Sequence, residues 1–168
     1  MQLDALLAKL GACPEARNWA AGKTLAEAWA TCSRADWMIW LVGRLNVDRK
    51  ALVRAACACA RTALHLIPAG DDRPRIAIET AEAWTRGEAT IEQVQTAACD
   101  AYTAADAAAD AAARAAAANA AYAANAAYAA NAAYDAATLC GAGKTADLPA
   151  LVRAHITAAM IEEGTNAA

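Results

Sequence analysis

The feature that most constrains this chain is a long alanine-rich stretch that contains neither glycine nor proline. There is no Gly or Pro from Ile91 to Cys140, and 25 of the 37 residues from 101 to 137 are Ala. Alanine has the highest intrinsic helix propensity because fixing it costs no side-chain entropy. The stretch therefore predicts helix, and one helix of about 49 residues would extend for about 73 Å.

A helix of that length does not fit inside a compact molecule of this size. A globular chain of 168 residues is roughly 40 Å across, from a radius of gyration of about 15 Å. We therefore expect residues 91–139 to form one long helix that projects or bends, or a helix that is broken once. Asn119 is the expected position of a break, because Asn tolerates the left-handed conformation at helix ends and also caps helix starts.

Asn and Tyr alternate every three residues from Asn119 to Tyr134. Three residues turn a helix by about 300°, so the three tyrosines of this repeat point roughly 120° apart around the axis. This spacing does not produce a recognition stripe on one side. The spacing is typical of a helix that is surrounded by other helices. Alternatively, the repeat is an expansion that persists because Ala, Tyr and Asn are all tolerated.

Residues that favour the start of a helix also occur in the rest of the chain. Four expected helix starts carry side chains that accept hydrogen bonds from the first backbone amides. They are Thr24 with Glu27, Ser33 with Asp36, Asp48, and Thr90 with Gln93. The helix after Asp48 is expected to run to about Leu66, another is expected from 73 to 86, and a last one lies within 145–168. Strand-type alternation is absent from the sequence, so we predict an all-α fold, a single Ala-rich helical bundle forming one domain over residues 1–168.

Composition narrows the class of protein. The net charge is only −3, which is too small to imply direct nucleic-acid binding. No apolar run reaches about 18 residues, so we expect no membrane span. The first residues lack the pattern of a secretory signal, so we expect a cytoplasmic protein. Its six cysteines are then expected to be free thiols.

A phosphate-loop motif is suggested by residues 141–145, Gly-Ala-Gly-Lys-Thr. The Walker pattern requires an earlier glycine where this chain has Thr138, and it requires a preceding strand rather than a helix. Gly22-Lys23-Thr24 repeats the end of the motif and fails in the same way, since Arg17 occupies the glycine position. We therefore expect no nucleotide cofactor.

Cys57 and Cys59, with His65 nearby, suggest a metal site. Residues two apart on a helix point about 200° away from each other, so the two thiols cannot chelate one ion. We place Cys59 on the apolar face of its helix and Cys57 on the opposite, polar face. We predict no metal, no catalytic residue and no enzymatic activity.

A basic stripe is the most informative predicted surface. Arg54, Arg61 and His65 fall on one face of the predicted helix, and Arg73 and Arg75 follow in sequence. One interpretation is that these cations pair with acidic residues of the bundle, for which the candidates are Glu79, Glu82 and Asp36. The other is that they bind an acidic partner, with Trp37 or Trp40 as an aromatic anchor if exposed.

Two stretches carry a family resemblance. The first comprises Gly11 to Arg17 (GACPEAR), Trp19, Gly22-Lys23-Thr24, Glu27, Trp29, Cys32, Asp36-Trp37 and Trp40. The second comprises Ala56 to Arg61 (ACACAR), Pro68, Gly70 to Arg75 (GDDRPR), Ala77 to Glu82 (AIETAE) and Trp84. Over residues 11–90 the chain resembles the family called putative immunity proteins of bacteria and phages, and residues 91–140 resemble its Ala- and Tyr-rich tail by composition.

The resemblance implies a protein that binds and neutralises a toxin or nuclease effector. We therefore predict a non-catalytic inhibitor whose partner contacts are Arg54, Arg61, His65, Arg73, Arg75, Trp37 and Trp40. A phage-encoded inhibitor of a host defence system is one alternative. A small-molecule binder or enzyme with a Trp- and Arg-lined pocket between helices is the other.

Overall fold

The protein is described by a computed structural model that covers residues 3–45, 47–108, 110–127 and 146–166. Within these residues it forms ten α-helices, and a short 3₁₀ turn at Leu64–Leu66 follows the fifth. The helices are α1 Leu3–Lys9, α2 Pro14–Ala20, α3 Leu25–Thr31, α4 Ala35–Arg44, α5 Arg49–Arg61, α6 Arg73–Arg86, α7 Ile91–Ala107, α8 Ala111–Asn125, α9 Leu148–His155 and α10 Ala158–Asn166. The predicted all-α fold is confirmed.

Three of the four predicted caps are formed. Thr24 and Thr90 each make a complete capping box, and the Asp48 side chain accepts a hydrogen bond from the Lys50 amide at 3.0 Å. The prediction for Ser33 is wrong, because α4 begins after Arg34, whose side chain makes no capping bond. Asp36 instead receives two hydrogen bonds from the Arg34 guanidinium, at 2.9 and 2.6 Å.

Within residues 91–108 and 110–127, the alanine-rich segment breaks between α7 and α8, and Asn119 is not the position. Helix α7 ends at Ala107, Ala108 is extended, and α8 starts after Asp110. The Asp110 carboxylate accepts hydrogen bonds from the amides of Ala112 and Ala113, at 2.9 and 3.0 Å. A carboxylate that satisfies two amides of the first turn is a stronger helix start than Asn within an alanine run. Asn119 lies in the middle of α8 with 1% of its surface exposed.

The predicted packing of the tyrosine repeat can be followed at one position. Tyr122 on α8 meets Tyr102 on α7 edge to face, with ring centroids 5.4 Å apart. The Asn125 amide also donates to the Tyr102 hydroxyl at 3.1 Å. The remaining repeat positions from 128 to 134 lie outside the described residues. At Tyr122 and Asn125 the described part of the repeat therefore packs against α7.

Helix α5 lies at the centre of the bundle, in contact with α4, α6, α8 and α9. Eight of its thirteen residues are buried, and the neighbouring helices present alanines such as Ala77, Ala81 and Ala120, which are fully buried. Small side chains allow the helix backbones to approach closely, so this part of the core depends on close packing rather than on large side chains.

Two boundaries differ from the predicted ones. Helix α5 ends at Arg61 and not near Leu66, because Thr62 turns its amide and hydroxyl back to the Cys59 carbonyl. The C-terminal segment forms α9 and α10 rather than one helix. Between them Ile156 is extended, and its carbonyl accepts a hydrogen bond from the buried Trp29 indole at 3.2 Å.

Helices α1 to α4 form the other end of the molecule and contain four of the five tryptophans. Arg153 of α9 ties this end to the rest, because its Nη1 donates to the carbonyls of Trp29 and Cys32, each at 3.1 Å. Among the described residues, no helix has the length and hydropathy needed to cross a bilayer.

Candidate functional site

Arg61, at the end of α5, forms a two-pronged ion pair with Glu82 of α6. Its Nε and Nη2 atoms donate to the two Glu82 carboxylate oxygens at 2.9 and 2.6 Å. These hydrogen bonds raise the pKa of Arg61, which is charged in any case. This pair confirms, for Arg61, the interpretation that a cation of the predicted stripe pairs with Glu82 of the bundle.

The other predicted arginines are also paired. Arg73 donates to Asp71 at 2.8 and 2.7 Å, and Arg75 lies 3.0 Å from both Asp72 and Glu79. Arg54 makes a longer contact of 3.8 Å with Asp48. Five carboxylates therefore surround four arginines. We call this surface the charged mosaic, defined by Arg54, Arg61, Arg73, Arg75, Asp48, Asp71, Asp72, Glu79 and Glu82.

The charged mosaic is not the continuous basic stripe that the sequence suggested. His65 lies in the 3₁₀ turn after α5, where its Nδ1 is 2.9 Å from the Thr62 carbonyl. A different histidine, His155 of α9, lies in the electrostatic field of Arg54 and Glu82. Burial lowers the pKa of His155, and the positive charge of Arg54 lowers it further.

Cys57 does not share a polar face with Arg54 and Arg61, as the sequence had suggested. Its side chain is fully buried, and its Sγ lies 4.0 Å from the Ile78 carbonyl of α6. The assignment fails because α5 is covered by helices on both sides. Burial strongly raises the pKa of the Cys57 thiol, and the charge of Glu82 raises it further.

We expect Cys57 to resist alkylation by iodoacetamide in the folded protein at mildly alkaline pH. A buried thiol with a raised pKa forms almost no thiolate, and the thiolate is the reactive species. Cys13 and Cys99 are exposed and serve as internal controls that should be labelled. Mass spectrometry of the labelled protein measures each site, and rapid labelling of Cys57 without unfolding would contradict its burial.

A second surface feature is a concave groove in the α1–α4 end of the molecule, with a volume of about 670 Å³. We call it the tryptophan groove and define it by Trp19, Trp29, Trp37, Trp40 and Arg44, which lie among its lining residues. Trp19 and Trp37 pack with centroids 6.0 Å apart. Trp29 is buried, whereas Trp19, Trp37 and Trp40 are half-buried.

Cations lie against three of these indole rings. Lys23 is 4.6 Å from the centroid of Trp19, Arg34 is 4.6 Å from that of Trp37, and Arg44 is 5.6 Å from that of Trp40. The cations beside Trp37 and Trp40 are therefore not the five that the sequence analysis selected. Trp40 and Arg44 lie four residues apart on α4, a spacing that places both on one helix face, and this signal would have identified that pair. Lys23 lies beyond the end of α2, and Arg34 is the residue just before α4.

Six of the seven sequence-predicted residues thus divide between two surfaces, and His65 belongs to neither. Arg54, Arg61, Arg73 and Arg75 belong to the charged mosaic, whereas Trp37 and Trp40 line the tryptophan groove. In the part of the chain that the structure describes, no group of three or more His, Cys, Asp or Glu side chains could hold a metal ion. The candidate phosphate loop at 141–145 lies outside that part, whereas Thr24 of the related Gly-Lys-Thr segment is a helix cap.

Comparison with known proteins gives one match. A family model described as Imm-5 like putative immunity protein matches residues 45–140. The matched region contains α5 to α8 and the charged mosaic, whereas the tryptophan groove lies before it. No match was found among curated proteins or among solved structures.

Proposed function

Because the chain belongs to the Imm-5 like putative immunity protein family, we propose that it is a non-catalytic inhibitor that binds a toxin or nuclease effector protein and neutralises it by occlusion. The family match is the observation that carries this proposal. The proposed setting is the cytoplasm, where such an effector would act. Inhibition by occlusion requires only a surface that fits the partner, and no chemistry by the inhibitor.

The charged mosaic is the surface that we propose for the partner. It lies within the matched region, and its arginines are already held by carboxylates on the same or neighbouring segments. Side chains that are fixed before binding lose less conformational entropy in the complex. An alternating pattern of charge also selects one partner, because juxtaposed like charges disfavour the wrong ones.

The test of this surface is a charge exchange at the Arg61–Glu82 pair. The partner is first identified by affinity capture from the native host and mass spectrometry, and then purified. The double variant Arg61→Glu with Glu82→Arg keeps an ion pair in place but reverses its polarity. We expect it to bind the partner roughly 30-fold more weakly, about 2 kcal/mol, the size of an interfacial hot spot.

Two controls separate binding from folding. Circular dichroism should show unchanged helicity in the double variant, and an exchange of Arg86 with Glu88, an exposed pair outside the charged mosaic, should leave binding unchanged. Wild-type protein should abolish the activity of the purified effector at equimolar amounts. Full effector activity at saturating protein would refute the proposed function, whereas normal binding by the Arg61–Glu82 exchange would refute only the surface.

A phage-encoded inhibitor of a host defence protein would use the same surface, because it too would act by occluding its partner. The identity of the captured partner separates it from toxin immunity, because the first predicts a host defence protein and the second a toxin.

A second candidate function, binding of a small molecule, is supported by the tryptophan groove. Small-molecule sites are concave, largely apolar and about 300–1,000 Å³ in volume. The groove falls within this range at about 670 Å³.

A further inference from the structure

We infer that the tryptophan groove binds a small apolar acid, a molecule with a flat hydrophobic body and one carboxylate. This inference rests on the second candidate function above. It is independent of the charged mosaic, because no residue that lines the groove belongs to that surface.

The walls of the groove define the body of the ligand. They combine indole rings with aliphatic side chains such as Leu7, Leu25 and Leu41. Flat aromatic surfaces favour a flat apolar partner, because stacking and edge contacts between rings add to the burial of apolar area. The tilted Trp19–Trp37 pair supplies two such surfaces.

The polar groups of the groove define the charge of the ligand. Among the described residues that line the groove, Arg44 is the one with a charged side chain, and none of them is Asp or Glu. Trp29 donates its indole N–H to Ile156, but within the described residues the N–H groups of Trp19, Trp37 and Trp40 meet no acceptor and are not buried. The groove therefore offers donors and a positive charge, which an acceptor-rich anion would satisfy.

Arg44 is the group that we assign to the carboxylate. Its guanidinium lies beside the Trp40 ring, and in the described parts of the chain no acidic side chain pairs with it. The arginines of the charged mosaic differ, since each already has a carboxylate within 4.0 Å. A guanidinium next to an apolar wall binds a carboxylate by two charge-assisted hydrogen bonds.

The experiment compares two probes of nearly equal shape, naphthylacetate and its neutral analogue naphthylacetamide. Each is titrated into the full-length protein by calorimetry, with tryptophan fluorescence as a second readout. We expect the acid to bind roughly tenfold more tightly than the amide, because only the acid carries a charge for Arg44.

Arg44→Met tests the assignment, because methionine retains an unbranched apolar stem and removes the charge. We expect this variant to bind the acid about tenfold more weakly and the amide as before. The matched control Arg86→Met removes an exposed arginine outside the groove and should change neither affinity. Trp40→Leu should weaken both probes, and its thermal unfolding is measured to show that the variant folds.

The outcomes distinguish this inference from the functions it accompanies. Equal binding of acid and amide would overturn the proposed ligand class while leaving a small-molecule site in place. Failure of both probes to bind would overturn the inference together with the second candidate function. Neither result bears on effector inhibition, which is measured with the variants of the charged mosaic.

Discussion

Replacing Ala124 by Leu is expected to lower the free energy of unfolding by about 1–3 kcal/mol. Ala124 is fully buried on α8, which packs against α5, α6 and α7. A core made of alanines leaves no space for three additional carbon atoms, so the helices must separate or neighbouring side chains must leave their preferred rotamers. Urea unfolding followed by circular dichroism measures the change.

The matched control is Ala112→Leu in the first turn of the same helix. Ala112 is exposed, and Leu is nearly as good a helix former as Ala. Its stability should therefore change by less than about 0.5 kcal/mol. Equal stability of the Ala124 and Ala112 variants would contradict the close packing of α8.

Replacing Arg153 by Met is expected to destabilise the protein by about 2–4 kcal/mol, because the carbonyls of two buried residues lose a charged donor. The Arg153 guanidinium reaches Trp29 and Cys32 at 3.1 Å and the Met38 sulfur at 3.8 Å. It thereby joins α9 to the end of α3 and to α4. Thermal unfolding by calorimetry measures the loss.

Arg153→Lys should recover part of that stability. Lysine retains the charge but cannot reproduce the planar geometry with which one guanidinium reaches several acceptors. Trp29, Cys32 and Met38 also line the tryptophan groove, so the Met variant should bind naphthylacetate more weakly as well. A Met variant as stable as the wild type would show that Arg153 does not hold the two ends of the molecule together.

Local signals predicted the helices well wherever a cap was decided within a few residues. The Thr24 and Thr90 capping boxes and the left-handed Gly87 at the end of α6 each depend on side chains or backbone preferences of adjacent residues. The break in the alanine segment was misplaced at Asn119, although Asp110 is the residue that caps α8. This cap is also local, because the Asp110 carboxylate accepts from amides two and three residues further on.

The candidate site was predicted less completely, because charge pairing between helices is not encoded by spacing along the chain. Arg61 and Glu82 are 21 residues apart, yet they form two hydrogen bonds. The assignment of Cys57 to a polar face failed for a similar reason. Periodicity indicates which residues share a face, but not whether a second helix covers that face.

The sequence by itself determined the all-helical class, several helix starts and the family, because helix propensity, caps and family motifs are properties of neighbouring residues. Only the tertiary structure decided which surfaces the protein presents. Packing on several sides of α5 buried Cys57, the pairing of Arg61 with Glu82 between two helices placed acidic charge within the predicted basic stripe, and the assembly of α1 to α4 formed the tryptophan groove. Each of these depends on contacts between residues distant in sequence, which local patterns do not specify.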